Sequence, residues 1–328
     1  MSRQLLDTLM EKTVVPSFTS IGCRVRSRLF SWPTLESYQM HDRVVVLTGG
    51  TSGIGKAGAQ LYARMGATLV IVGRDPDKTL DIVEWLKSDS GSTTIHSVHG
   101  DLGVREDVCR IAQELAATYP VIDVLVHNAG ALFNTRRRAQ NGCDLAVELM
   151  VASPFLLTGL LLPQLKNASE NSGPARVLTM SSGGMYTESL TVDDLQMDDD
   201  GYQGAQQYAR AKRAQVVLNE LWAEKFNRSE IVFQALHPGW VKTPGITEAL
   251  PGFSRLLSPL GLLRTPREGA DTMIWLSADE RGIDSSGQFW HDRDVRVIDM
   301  TNKTKSADTP ELRKKLWQWC EKHTQWKL

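Results

Sequence analysis

Residues 44–55 read VVVLTGGTSGIG, an apolar, β-branched run that breaks into spaced glycines and enters a helical pattern over 53–65. A strand turning this tightly into a helix continues most simply as a βαβ unit. The rest of the chain repeats the alternation. Strand-like runs follow at 68–73, 94–99, 122–127, 175–180 and 231–236, with helix-like stretches at 76–88, 104–118, 144–166 and 206–226. Such alternation predicts an α/β fold, a doubly wound parallel sheet with helices on both faces. No solenoid period occurs. A last helix is expected over about 309–324, with Leu312, Leu316, Trp319 and His323 on one packing stripe.

Composition narrows the partners. The 328 residues are 41% hydrophobic and 23% charged, ordinary values for a globular chain. A net charge of −1 gives no field that favours nucleic acid, so no nucleic-acid partner is expected. Cys23, Cys109, Cys143 and Cys320 are scattered without a C-x-x-C pair, which fits a reducing, cytoplasmic setting. His96 and His99 form an isolated H-x-x-H, and no metal site is expected. No run of 18 apolar residues predicts a transmembrane helix. Residues 21–32, IGCRVRSRLFSW, alternate Arg24, Arg26 and Arg28 with apolar side chains. They read either as a peripheral membrane segment or, the favoured reading, as an extension packed on the domain.

The glycine turn carries chemistry. Gly49, Gly53 and Gly55, with Ser52 and Ile54 between them, let the backbone approach a pyrophosphate whose charge would rest on the helix N-terminus. The fold expected is therefore a single Rossmann-type domain. Where proteins that prefer NAD place an acidic residue after the second strand, this chain has Gly73 and then Arg74. A guanidinium suits a 2′-phosphate, so NADP is favoured over NAD. Asp75 reads as the cap of the next helix, with Pro76 at its start.

TGGTSGIG, Asp101–Leu102, HNAG (127–130), the pair Ser181 and Ser182, YARAK (208–212) and HPGWVKT (237–243) occur in this order. Together they resemble the short-chain dehydrogenase/reductase family from about residue 42 to 292, which implies one domain over 42–292 with extensions over 1–41 and 293–328. SSGGMYT, KRAQVVLNE and HPGWVKTPG narrow the resemblance to a subgroup that also extends before its glycine loop. The resemblance implies an oxidoreductase in which hydride passes between nicotinamide and a substrate carbon. Tyr208 would be the acid/base. Lys212, one helical turn away, would lower its pKa from about 10 and hold the nicotinamide ribose. Ser182 would hold the substrate oxygen. Asp101 and Leu102 would border the adenine, and Asn128, Ala129 and Gly130 the cleft. Pro238 and Gly239 would shape the nicotinamide pocket, with Thr243 reaching the carboxamide or the phosphates. Homo-oligomers are frequent in the family, but no interface can be read from residues alone.

Two departures stand out. The first residue of HNAG is His127 in place of the usual asparagine. In MVASPFLLT (150–158), Met150 occupies the position of the family asparagine that holds a water linking the lysine to solvent. Pro154 is expected to kink that helix. Either other waters or Ser153 sustain the relay, or the protein binds NADP with little turnover, as a sensor or scaffold. An epimerase or dehydratase ranks last, because those relatives prefer glycine where Ser52 stands. Met185, Tyr186, Trp240, Pro251, Phe253, Leu256, Leu257 and Leu260 fall in segments that cover the substrate in this family, or else form a lid packed on itself. They point to a lipophilic carbonyl or alcohol.

Overall fold

Strands β1 (Val44–Thr48), β2 (Thr68–Gly73), β3 (Ile95–His99), β4 (Val124–His127), β5 (Ala175–Met180), β6 (Ile231–His237), β7 (Gln288–His291) and β8 (Asp294–Val295) form one sheet in the computed structural model. The structure describes residues 3–243, 252, 257 and 261–328. The strand order is β3-β2-β1-β4-β5-β6-β7-β8, parallel except for the β7–β8 hairpin. Val45 pairs with both Leu69 and Val124, so β1 is central and the chain reverses direction across the sheet between β1 and β4. That reversal opens a crevice at the strands' C-terminal ends.

Period-2 alternation along β1 explains the two cores. Val45 and Leu47 face one layer with Leu69, Ile71 and Val126, whereas Val46 faces the other with Val70, Val72 and Leu125. The first layer is covered by α4 (Gly53–Arg64), α5 (Pro76–Ser90) and α11 (Pro266–Ala278). The second is covered by α6 (Arg105–Thr118), α8 (Ser153–Leu160), α9 (Leu162–Asn171), α10 (Gly204–Ala223) and, after the short α12 (Asn302–Ala307), α13 (Pro310–Thr324). Helix α11 begins on the expected capping box, Glu268 N donating to Thr265 Oγ1 at 3.1 Å and Thr265 N to Glu268 Oε2 at 2.8 Å. Helix α13 buries Leu316, Trp317 and Cys320; Trp319 is only partly covered and stacks on His323.

The helix expected over 144–166 is divided. After the short α7 (Leu145–Val147), residues Glu148–Ala152 form a widened π-turn in which Ser153 N bonds Glu148 O. Pro154 has no N–H to give to Met150, and the wider turn absorbs that gap. The sharp bend, 56°, comes later, between Leu145–Leu160 and Leu162–Asn171, where Pro163 removes the next bond. Among the described residues no single helix is long and apolar enough to cross a membrane. The bent pair passes on length and composition, yet Val151, Phe155, Leu157, Leu161 and Leu165 are core residues.

Ahead of β1 lie α1 (Arg3–Lys12), α2 (Val14–Phe18) and α3 (Ser20–Leu29). Arg26 is fully buried and turned into the protein, with Nε to Asp7 at 2.6 Å, Nη2 to Glu11 at 2.7 Å and Nη1 to Asp292 at 2.8 Å. Asp292 also takes Arg264 Nη1 at 2.5 Å, and Arg296 Nη1 reaches Asp7 at 2.6 Å. Segment 21–32 therefore packs on the domain through its central arginine, while Arg24 lies on the surface beside Glu268. The short runs 288–291 and 294–295 carried too little periodicity to be read as strands.

Candidate functional site

The glycine turn forms as the spacing predicts. Gly49 has φ +69°, and a Cβ there would lie 2.9 Å from the Ala129 Cα. At Gly55 a Cβ would come within 2.0 Å of the Gly49 oxygen, so no other residue lets α4 start this close to β1. Ser52 is the N-cap of α4 and gives it no side-chain hydrogen bond, which leaves the first N–H groups, around Gly53, Ile54 and Gly55, uncapped by a side chain. This cradle fits a pyrophosphate. Asn128 Nδ2 fixes it by donating to Thr48 O and Gly49 O, both at 3.1 Å. Thr48 Oγ1 in turn accepts from the Asn128 and Ala129 amides at 3.0 and 3.1 Å. Thr48 was not singled out in the sequence, although it ends the β1 run and begins the glycine motif. Gly53 faces the Thr243 methyl, since a Cβ would meet it at 3.2 Å.

At the end of β2, Arg74 is largely exposed and stands 4.0 Å from Asp101 Oδ2. Asp75 caps α5 by accepting from Lys78 N at 3.1 Å, as expected. Gly73 is small because a Cβ would strike Thr79 Oγ1 at 2.1 Å. Asp101 Oδ1 accepts from Gly103 N at 2.8 Å, and Leu102 turns into the core while its carbonyl accepts from the Ser153 hydroxyl. Ser153 is thus committed away from Lys212.

Tyr208 and Lys212 lie one turn apart on α10, with the Lys212 Nζ 5.3 Å from the phenol ring centroid. Lys212 is buried, and its Nζ donates to Met180 O at 2.7 Å, at the end of β5. The two serines divide. Ser181 is buried and its hydroxyl donates to Lys212 O at 3.0 Å, whereas the half-buried Ser182 accepts Gly184 N through its hydroxyl at 3.2 Å and neighbours the Tyr208 phenol. Burial pushes the phenol up to about 12 against the pull of Ser182, and brings the Lys212 ammonium down to about 7. Both shifts favour neutral forms, because desolvation opposes either charge. The protein alone therefore does not supply the lowered phenol that the Tyr–Lys spacing suggests.

Met150 is fully buried in the π-turn. A Cβ on Gly130 would lie 3.2 Å from its Sδ and 3.4 Å from Lys212 Nζ, so thioether and ammonium flank the same backbone. A thioether donates no hydrogen bond and accepts weakly. His127 is buried and contacts Thr158 Oγ1 through Nε2 at 2.8 Å; burial lowers it to about 3, so it is a neutral spacer. Pro238 and Gly239 follow β6, and a Cβ on Gly239 would strike the Arg264 guanidinium at 2.2 Å.

The segments expected to cover a substrate are partly packing. Met185 and Tyr186 are buried with Phe18, Val216, Ala235 and Phe289, and Tyr186 Oη donates to Val297 O at 2.9 Å. Phe18 belongs to α2, and no sequence pattern tied it to this region. Trp240 also packs edge-on against Phe18, and Leu257 is buried. Pro251, Phe253, Leu256 and Leu260 lie outside the described residues.

A doubly wound sheet with a glycine cradle at its switch point, facing a Ser–Tyr–Lys cluster, defines a dinucleotide-dependent oxidoreductase. The sequence model of the short chain dehydrogenase family matches residues 43–251. The chain is 34% identical over 277 residues to Dehydrogenase/reductase SDR family member 12 of Homo sapiens, covering 84% of each chain. It is 29% identical to Polyprenol dehydrogenase of Homo sapiens, covering 84% of this chain and 83% of that one. The solved Pseudomonas aeruginosa RhlG/NADP active-site complex superposes with a TM-score of 0.63, covering 76% of this chain and 94% of that one at 24% identity. This chain belongs to the short-chain dehydrogenase/reductase family. It is an NAD(P)-binding oxidoreductase acting on CH–OH and C=O groups, and the narrower sequence resemblance was to member 12.

Proposed function

We propose that this protein interconverts a lipophilic carbonyl compound and its alcohol with NADP(H), Tyr208 acting as acid/base. The observation that carries the reading is the cluster of Tyr208, Ser182 and Lys212 at the sheet's C-terminal edge, across from the glycine cradle. When bound, the nicotinamide supplies or accepts the hydride. Tyr208 Oη gives its proton to the substrate oxygen during reduction and recovers it during oxidation. Ser182, just past the end of β5 where Lys212 Nζ reaches Met180 O, holds the same oxygen. Lys212 accepts or passes on the proton and stays near neutrality because it is buried. The lipophilic substrate class is supported by similarity to a polyprenol dehydrogenase and to Retinol dehydrogenase 14 of Mus musculus, 29% identical over 289 residues.

NADP is favoured by the exposed Arg74, which stands 4.0 Å from Asp101, and by Gly73 in place of an acidic residue before it. Arg74→Ala should weaken NADPH binding by roughly 10-fold or more, the loss of one charge-assisted contact, and leave NADH binding unchanged. Titrations following the nicotinamide fluorescence check this. The reaction itself is tested by NADPH oxidation with a panel of lipophilic aldehydes and ketones, alongside Tyr208→Phe. NADPH binding without turnover across the panel would count against a reductase.

A second reading, a cofactor-responsive protein with little turnover, is favoured by Met150. Against it stands Gln215, three residues beyond Lys212 on α10. Both its amide atoms are buried without partners among the described residues, and it borders a cavity of about 20 Å³ shared with Met150, Thr158 and Thr179. That volume and those partners suit one water. Met150→Asn should raise turnover several-fold while lowering stability by about 1–3 kcal/mol, the cost of an incompletely paired buried amide. Paired kcat and urea-unfolding measurements check both directions.

A further inference from the structure

The N-terminal segment reaches the site through one imidazole. His237 ends β6 and is fully buried, directly before Pro238 and Gly239. Its Nδ1 accepts the Gly183 amide at 3.0 Å and the Gly239 amide at 3.4 Å. One nitrogen thus ties the residue after Ser182 to the turn expected to shape the nicotinamide pocket. Accepting at Nδ1 places the hydrogen on Nε2, which has no nitrogen or oxygen partner among the described residues.

Phe18 from α2 packs against that imidazole, nearly perpendicular, at 4.4 Å between centroids. Phe18 Cε2 and His237 Nε2 converge on Gly183, where a Cβ would meet them at 2.8 and 2.9 Å. The backbone of the same segment is also committed. Phe18 O accepts Trp240 N at 2.7 Å, and Arg264 donates to Ser17 O, Phe18 O and Thr19 O as well as to Pro238 O. The α2–α3 junction and the turn after β6 are therefore fastened to one guanidinium, which Asp292 neutralises.

We infer that His237 and Phe18 are positioning residues that set the spacing between Ser182 and the Pro238–Gly239 turn, so that the N-terminal extension is part of the nicotinamide end of the site. The inference rests on the NADP(H) reading above. Its reach is limited to the nicotinamide half, because the contacts lie at the ends of β5 and β6, away from Arg74 at the end of β2.

The test compares two ligands in the full-length protein: NADPH, and 2′,5′-ADP, which lacks the nicotinamide. His237→Leu removes the acceptor and keeps an apolar body. It should weaken NADPH about 10-fold, the effect of one lost hydrogen bond, without changing 2′,5′-ADP affinity. His237→Asn restores an acceptor near Nδ1 and should recover most of the difference. Phe18→Leu should shift the ratio the same way by a smaller factor. With any substrate turned over, His237→Leu should lower kcat more than it raises KM. An unchanged ratio in His237→Leu and Phe18→Leu would overturn the inference, and so would equal weakening of both ligands in all three variants. Wild-type protein that binds neither NADPH nor 2′,5′-ADP would instead overturn the cofactor reading itself.

Discussion

Tyr208→Phe is expected to lower turnover by roughly 10²–10⁴-fold while leaving NADPH affinity and unfolding midpoint near those of the wild type. The substitution removes one hydroxyl and keeps the ring that packs against the second core layer. In the proposed reaction, what disappears is the group that would deliver a proton to the substrate oxygen, with Ser182 left in place. The phenol is pushed up to about 12 by its surroundings. In the proposed reaction a proton donor that weak would act in reduction, where it would give up its proton as hydride arrives. Oxidation needs the phenolate, and the charge of the oxidised nicotinamide and of Lys212 would have to lower the phenol. Reduction should therefore persist near neutral pH, while oxidation should rise as pH increases toward the lowered value. Stopped kinetics of NADPH oxidation, with pH profiles in both directions, measure this.

Asp292→Ala is expected to destabilise the fold by about 3–5 kcal/mol. The carboxylate is buried and held far below the usual range by Arg264, His291 and Arg26, whose pull outweighs desolvation. Without it, two fully buried guanidiniums face one another, one from α3 and one ahead of α11. Arg26 keeps Asp7 and Glu11, so the uncompensated charge is that of Arg264, and Asp292→Ala combined with Arg264→Met should recover part of the loss. Urea unfolding of the single and double variants checks the difference. Acid should act in the same direction. His291 is brought to about 4 and His127 to about 3 by burial, against about 6.5 in an unfolded chain. The unfolded state takes up protons first, so stability falls as pH drops below about 6.5, by up to about 1.4 kcal/mol per pH unit for each histidine. The Asp292 contribution is lost only below the unfolded carboxylate value, near 4.

Much of the site was legible because its parts are local. A five-residue strand meeting Gly49, Gly53 and Gly55 leaves the backbone one economical course, and the cradle follows. Asp75 and Thr265 cap the helices they precede because a cap spans only three residues. Tyr208 and Lys212 meet because α10 brings i and i+4 to one face. The choice of Ser182 came from family resemblance. In the folded protein the neighbouring hydroxyl, Ser181, is turned to Lys212 O. The helix over 144–166 was misread in its course. Pro154 was visible, but a π-turn that absorbs it and a bend nine residues later depend on how the helix packs.

The sequence by itself determined the parallel α/β order, the phosphate cradle and the Tyr–Lys pair, since each depends on contacts within one element or across one tight turn. Only the tertiary structure decided what Met185, Tyr186 and the N-terminal helices do. Met185 and Tyr186 looked like a substrate cover, yet Phe18, 167 residues before Met185 in the chain, fills the space beside them. Residues 21–32 were expected to pack on the domain or lie at a membrane, yet nothing in them named Asp292, 266 residues on, as the partner of Arg26. Partners separated by that much chain leave no periodicity to read. The physical reason is that burying a charge or an aromatic ring is decided by the neighbour it meets, and folding alone brings those neighbours together.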